Sequence, residues 1–149
     1  MISKILYTTE ATVEGGRGGR VRTSDGRLDV ELDVPSELGG VGGPGTNPEQ
    51  LFAAGYAACF QSALLQVAAG QRLALPNSKL TATVGIGPAH EGGFALAVSL
   101  DLDAPGLDRD EATALMERAH ERCPYSRATR GNIDVVLSVG GAVIERIAA

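Results

Sequence analysis

Cys59 and Cys123 are the only two thiols in 149 residues. Once ionised, a thiol is among the strongest nucleophiles a side chain offers near neutral pH. Cys59 follows Gly55-Tyr56-Ala57-Ala58, and Cys123 opens Cys123-Pro124-Tyr125-Ser126. A lone cysteine on an apolar helical face is most often a small buried hydrophobe. Two of them, on the two helices expected to pack together, point instead to thiol redox chemistry. Their local fields differ. Cys123 falls at a helix C-terminus, where the partial negative charge disfavours a thiolate. Cys59 falls in mid-helix, where the dipole helps little, so a reactive thiolate there needs a cation from elsewhere. Arg17, in the turn Gly15-Gly16-Arg17-Gly18-Gly19-Arg20, is the first candidate and Arg20 the second. Glu49, in the first turn of the helix that carries Cys59, is favoured by the dipole on its own account. It could also hold Arg17 by a bidentate pair. Ten residues separate Glu49 from Cys59, about 15 Å along one helix. Either an arginine side chain spans that gap, or Arg17 and Glu49 come from a second subunit.

The elements that must place these residues are legible from periodicity. Residues 4–14 read as a strand, Arg20 begins a second, and Ser24-Asp25-Gly26-Arg27 is a hairpin turn. Leu28, Val30, Leu32 and Val34 alternate with polar residues in a third strand. A glycine-rich loop over 39–45 leads to Thr46-Asn47-Pro48-Glu49-Gln50, a helix start: Asn47 as cap, Pro48 at the first helical position, and Gln50 completing a capping-box pattern. That helix should run to residue 69 or 70. It is apolar nearly all round and should be packed on most sides. Residues 80–86 and 94–102 alternate as an antiparallel hairpin. Asp108 and Glu111 cap a second helix that Pro124 ends, and 132–146 read as a last strand. Asp101 and Asp103 read as solvated. The order of three strands, helix, two strands, helix, strand is an α+β fold with antiparallel pairing, in one domain over 1–149. Six short strands and one other helix cover so apolar a helix poorly, so a homodimer is expected.

Composition narrows the partners. A net charge of −5 opposes binding to a phosphate backbone, so no nucleic acid is expected. No charged residue lies between Glu49 and Arg72, a stretch long enough to span a bilayer. It contains Gln61, Ser62 and Gln66, however, and reads as a core helix, so no membrane partner is expected. The N-terminus has no signal-peptide pattern, which makes the cytoplasm the expected compartment, and there two cysteines are not a permanent staple. The glycine loop lacks Gly-Lys-Ser/Thr after it and is no phosphate-binding loop. His90 and His120 are too far from each other and from the cysteines to suggest a metal site, and none is expected.

At these residues the chain resembles the OsmC/Ohr family, in its organic hydroperoxide resistance branch. The resemblance rests on Gly16-Arg17, and on Gly45-Thr46-Asn47-Pro48-Glu49-Gln50-Leu51-Phe52-Ala53-Ala54-Gly55-Tyr56 leading to Ala58-Cys59-Phe60. It continues through Cys123-Pro124-Tyr125-Ser126 and Ala128-Thr129-Arg130-Gly131-Asn132-Ile133-Asp134-Val135. Gly18 and Arg127 depart from the family's usual acidic residue and asparagine. The resemblance implies an intertwined homodimer, with antiparallel sheets around a long buried central helix and two sites at the interface. It implies Cys59 as peroxidatic and Cys123 as resolving cysteine, with Arg17 and Glu49 as the thiolate-activating pair. It implies alkyl or fatty-acid hydroperoxides as substrates. No bound cofactor is expected, and the resemblance implies a dithiol reductant, a lipoylated protein bearing dihydrolipoamide, that restores the thiols. Phe52, Leu51 and Tyr125 are expected to wall the substrate site. The alternatives are an OsmC-type osmotically inducible peroxidase and a non-catalytic cysteine redox sensor.

Overall fold

The structure is a computed structural model that describes residues 2–148. The chain divides into two compact units, Met1–Leu51 and Phe52–Ala149. The first is built on a three-stranded antiparallel sheet of β1 (Ala11–Glu14), β2 (Arg20–Thr23) and β3 (Asp29–Glu31). Val13 faces Val21, and Val21 faces Val30, across the ladders. The expected first strand is shorter than its sequence suggests. Residues before Ala11 are extended but belong to no ladder among the described residues, and Ile5, Leu6 and Tyr7 are exposed.

The turn between β1 and β2 needs its glycines. Gly15 and Gly16 adopt φ of 77° and 59°, values that L side chains rarely take. A Cβ on Gly19 would lie 1.7 Å from the Glu14 carbonyl oxygen. The chain therefore closes tightly and presents Arg17 on a short 3-10 turn.

The first long helix, α1, spans Pro48–Gly70. Asn47 Oδ1 accepts the Gln50 amide at 2.9 Å, as an N-cap should. The Gln50 side chain does not complete the expected box. It accepts a hydrogen bond from the Thr46 hydroxyl at 2.7 Å.

The second unit carries a four-stranded sheet in the order β4 (Lys79–Pro88), β5 (Phe94–Asp103), β6 (Asp134–Val139), β7 (Ala142–Ile147). Alternation places Val98, Leu100 and Leu102 of β5 and Val135 and Leu137 of β6 in the core. They meet Tyr56, Phe60, Ala63 and Leu64 from α1, and Ala112, Met116 and Ala119 from α2 (Arg109–Arg122). Asp108 caps α2 by accepting the Asp110 and Glu111 amides. On α1 only one side is buried in the chain itself: Ala54, Ala58, Leu65 and Ala69 stay exposed.

Four details correct the expected pattern. The β5–β6 pair is parallel, not antiparallel. The helical crossover between these strands returns the chain to the same end of the sheet, as parallel pairing requires. The final segment is a hairpin and not one strand, because Gly140 and Gly141, at φ 57° and 77°, make a two-residue turn. Pro124 both ends one helix and begins another, α3 (Pro124–Thr129), where it occupies the first helical position. Asp101 is not simply solvated either, since it accepts the Ser138 hydroxyl at 2.5 Å and the Gly141 amide at 2.9 Å.

Candidate active site

In the first unit, Arg17 and Glu49 form a two-pronged pair: Nη1 donates to Oε2 at 2.9 Å and Nη2 to Oε1 at 2.7 Å. This planar fork fixes the guanidinium's orientation. Glu49 is 13% exposed and Arg17 42%. The hydrogen bond from Arg17 holds the Glu49 carboxyl below the usual carboxylate range against an opposing effect of burial. Arg20 is committed elsewhere. Its Nε donates to Asp29 at 2.7 Å and its Nη1 to Glu31 at 2.6 Å, both on β3. Of the two candidate arginines, Arg17 is the one coupled to Glu49.

In the second unit, Cys123 lies between α2 and α3. It is fully buried, and its Sγ donates to Cys59 Sγ at 3.5 Å. Both are free thiols, and Cys59 is partly open. Burial pushes the Cys59 thiol up. A hydrogen bond from the Tyr125 backbone amide pulls it down, and the neighbouring Cys123 pushes it up again. The amide's role is not legible in the sequence. Sequence shows Pro124 as a helix end, and its second role as the start of α3 is what turns the Tyr125 N–H toward the sulfur. The net result is still a raised pKa, so these surroundings alone do not make a thiolate.

Aromatic rings gather beside the thiols. Phe52 stands 6.1 Å from Tyr125 and 5.9 Å from Tyr56, centroid to centroid. Tyr125 packs over Gly55, where a Cβ would come within 3.0 Å of the phenolic oxygen. Phe52 is half-buried and Tyr125 is 39% exposed, whereas Leu51, one residue earlier on α1, is half-buried within the first unit. Tyr56 is fully buried and its hydroxyl meets Ser126 at 2.9 Å and Thr129 at 3.2 Å. These three hydroxyls lie outside the candidates that the sequence singles out. The available signal was a tyrosine three residues before a cysteine on an otherwise apolar helix. No group of three or more metal-ligating side chains gathers among the described residues.

A thiol pair set between a long apolar helix and a Cys-Pro corner, beside a mixed sheet, defines a class. The family model described as OsmC-like protein matches residues 40–138, and the chain belongs to that family. The organic hydroperoxide resistance protein of Xanthomonas axonopodis pv. citri (strain 306) is 55% identical over 137 residues, covering 91% of this chain and 96% of the relative. The crystal structure of the organic hydroperoxide resistance protein OhrB of Bacillus subtilis aligns with a TM-score of 0.84 at 45% identity, over 91% of this chain and 99% of that one. A Vibrio cholerae structure of the same designation, with captopril bound in one of its active sites, gives a TM-score of 0.89 at 50% identity, covering 95% and 97%. These similarities place the chain in the organic hydroperoxide resistance branch of the family.

Proposed function

We propose that this chain is a thiol peroxidase that reduces organic hydroperoxides to alcohols, and that its role is resistance to them. The observation that carries the reading is the sulfur pair: one thiol partly open, the other fully buried, 3.5 Å apart and not joined in a disulfide. That spacing leaves the first sulfur open to attack a substrate and keeps the second ready to replace what the attack leaves behind. The relatives' designations support the substrate class.

In this reading the Cys59 thiolate attacks the distal oxygen of ROOH. An S–O bond forms, the O–O bond breaks, and RO⁻ leaves and takes a proton to give ROH. The sulfur is oxidised by two electrons to a sulfenic acid. Cys123 then attacks that sulfur, an S–S bond forms, and the hydroxyl leaves with the thiol proton as water. An external dithiol reduces the disulfide by exchange, and a lipoyl-bearing protein is the proposed donor. Arg17, oriented by Glu49, supplies the positive charge that ionises Cys59 and steadies the charge developing on the leaving oxygen. Phe52, Leu51 and Tyr125 form the apolar wall that favours an alkyl chain over a small polar peroxide. The protein works in the reducing cytoplasm, as a homodimer whose second subunit covers the exposed face of α1.

The test is consumption of cumene hydroperoxide with dihydrolipoamide and with thioredoxin, side by side. Catalytic turnover with dihydrolipoamide is expected. Cys59→Ser abolishes it, and Cys123→Ser oxidises once and stops. Stoichiometric oxidation of the Cys59→Ser protein by the hydroperoxide would overturn the reading.

A further inference from the structure

The helix α3 is only six residues long, too short to be stable on its own. Yet the proposed resolving cysteine is its N-cap, so its placement decides where that sulfur sits. Two side-chain attachments hold it. Toward α2, Arg130 Nη2 donates to the His120 carbonyl at 3.0 Å. Toward α1, the Tyr56 hydroxyl reaches Ser126 and Thr129 at 2.9 and 3.2 Å, and Thr129 Oγ1 also donates to the Ser126 carbonyl at 3.2 Å.

Tyr56 and Ser126 are fully buried and Thr129 nearly so. One arrangement of hydrogens satisfies the trio: Ser126 donates to Tyr56, Tyr56 to Thr129, and Thr129 to the Ser126 carbonyl. Every hydroxyl hydrogen is then used. Burial keeps the Tyr56 phenol above its ordinary range, so it stays protonated and able to donate. An apolar core at these positions could be about as stable. What three buried hydroxyls add is direction, because they bond in one rotational setting of α3 and not in others. Tyr56 lies three residues before Cys59, and Ser126 and Thr129 lie three and six after Cys123. The trio therefore ties the helix bearing one sulfur to the helix that begins at the other.

We infer that Tyr56, Ser126 and Thr129 are positioning residues for disulfide closure, holding Cys123 in line with Cys59. This rests on the peroxidase reading. Closure forms the S–S bond, breaks the S–O bond of the Cys59 sulfenic acid, and releases the hydroxyl with the Cys123 proton as water. The trio touches none of these atoms and acts through the placement of α3. Loss of a hydroxyl should slow closure, leave attack on the peroxide alone, and expose the lingering sulfenic acid to a second oxidation.

The experiment is rapid-quench intact-mass analysis after mixing with cumene hydroperoxide, with dimedone trapping sulfenic acid and N-ethylmaleimide blocking thiols. Tyr56→Phe and Thr129→Val should form the Cys59 sulfenic acid within about two-fold of the wild-type rate and close the disulfide about ten-fold or more slowly. Excess peroxide should drive both to Cys59 sulfinic acid, and Thr129→Ser, which keeps the hydroxyl, should restore closure. Thermal unfolding checks that each variant is folded; should Tyr56→Phe not fold, Thr129→Val and Ser126→Ala carry the test. Closure at the wild-type rate, equal slowing of both steps, or failure of Thr129→Ser to rescue would each overturn the inference. If the wild type forms no sulfenic acid at Cys59, the peroxidase reading fails and the inference falls with it.

Discussion

The Arg17–Glu49 fork uses two of the guanidinium's five N–H groups and leaves its charge in one orientation. In the proposed mechanism that orientation matters because burial and Cys123 both push the Cys59 thiol up, and only the Tyr125 amide opposes them within its own unit. Glu49→Gln should keep the shape of the pair and loosen its grip, lowering the rate of Cys59 oxidation by up to about a hundred-fold. It also has a signature in stability. The folded pKa of Glu49 is depressed, so the pair's contribution is fully present above a glutamate's ordinary 4.5 and is lost as pH falls through the lower folded value. Melting temperature followed from neutral pH downward should therefore fall less steeply below 4.5 in Glu49→Gln than in the wild type. An identical slope would show that the pair does not couple to folding. At this scale much could be read in advance. Arg17, Glu49, Cys59 and Cys123 stand out by residue type and neighbours, but Arg17 ranks only first of two, and a firm choice between it and Arg20 needs the structure. It depends on β3 bringing Asp29 and Glu31 beside Arg20, and pairing register is not visible in a short polar strand.

Among the elements, α1 was legible because its start is marked by Asn47 and Pro48 and its body is uninterrupted. What escaped was punctuation with two meanings. Pro124 closes α2 and opens α3, and the rule that proline ends helices conceals the second role. Gly140-Gly141 turns one long apolar run into a hairpin, a signal present in the residues but masked by the β-branched sequence on both sides. The parallel β5–β6 pair follows from α2 and α3 lying between the strands, a tertiary outcome that alternation cannot report. The helix α2 also carries an unusual group. His120 is 5% exposed and both its ring nitrogens are buried without a hydrogen-bond partner among the described residues, so burial first, and the charge of Arg130 second, lower its pKa while Glu121 opposes them. Protonation is thus easier in the unfolded chain. Stability should fall as pH drops below 6.5, the ordinary histidine value, and go on falling until the lower folded pKa is passed. His120→Leu should flatten the dependence of melting temperature on pH just below 6.5. An unchanged slope would place that titration elsewhere.

For the whole molecule, the apolar surface left by a single chain is the dominant feature. Leu65 is 45% exposed on α1, with Ala54, Ala58 and Ala69 along the same open side. Ile5, Leu6 and Tyr7 are exposed in an extended segment that pairs with no strand among the described residues. The all-round apolar character of α1 is the property that sequence reading used to expect a second subunit, and the proposed homodimer gives these surfaces a use. Leu65→Glu should shift the protein from dimer toward monomer in sedimentation equilibrium; a wild type that sediments as a monomer at micromolar concentration would count against the assembly.

The central claim is that Cys59 is oxidised by the peroxide and then joined to Cys123. Peptide mapping under non-reducing conditions, after one equivalent of cumene hydroperoxide, tests it most directly. A single new cross-link between the Cys59 and Cys123 peptides of one chain, with one equivalent of alcohol released, is the result predicted. Two thiols still free after the hydroperoxide has been consumed, or a cross-link between two copies of Cys59, would contradict it.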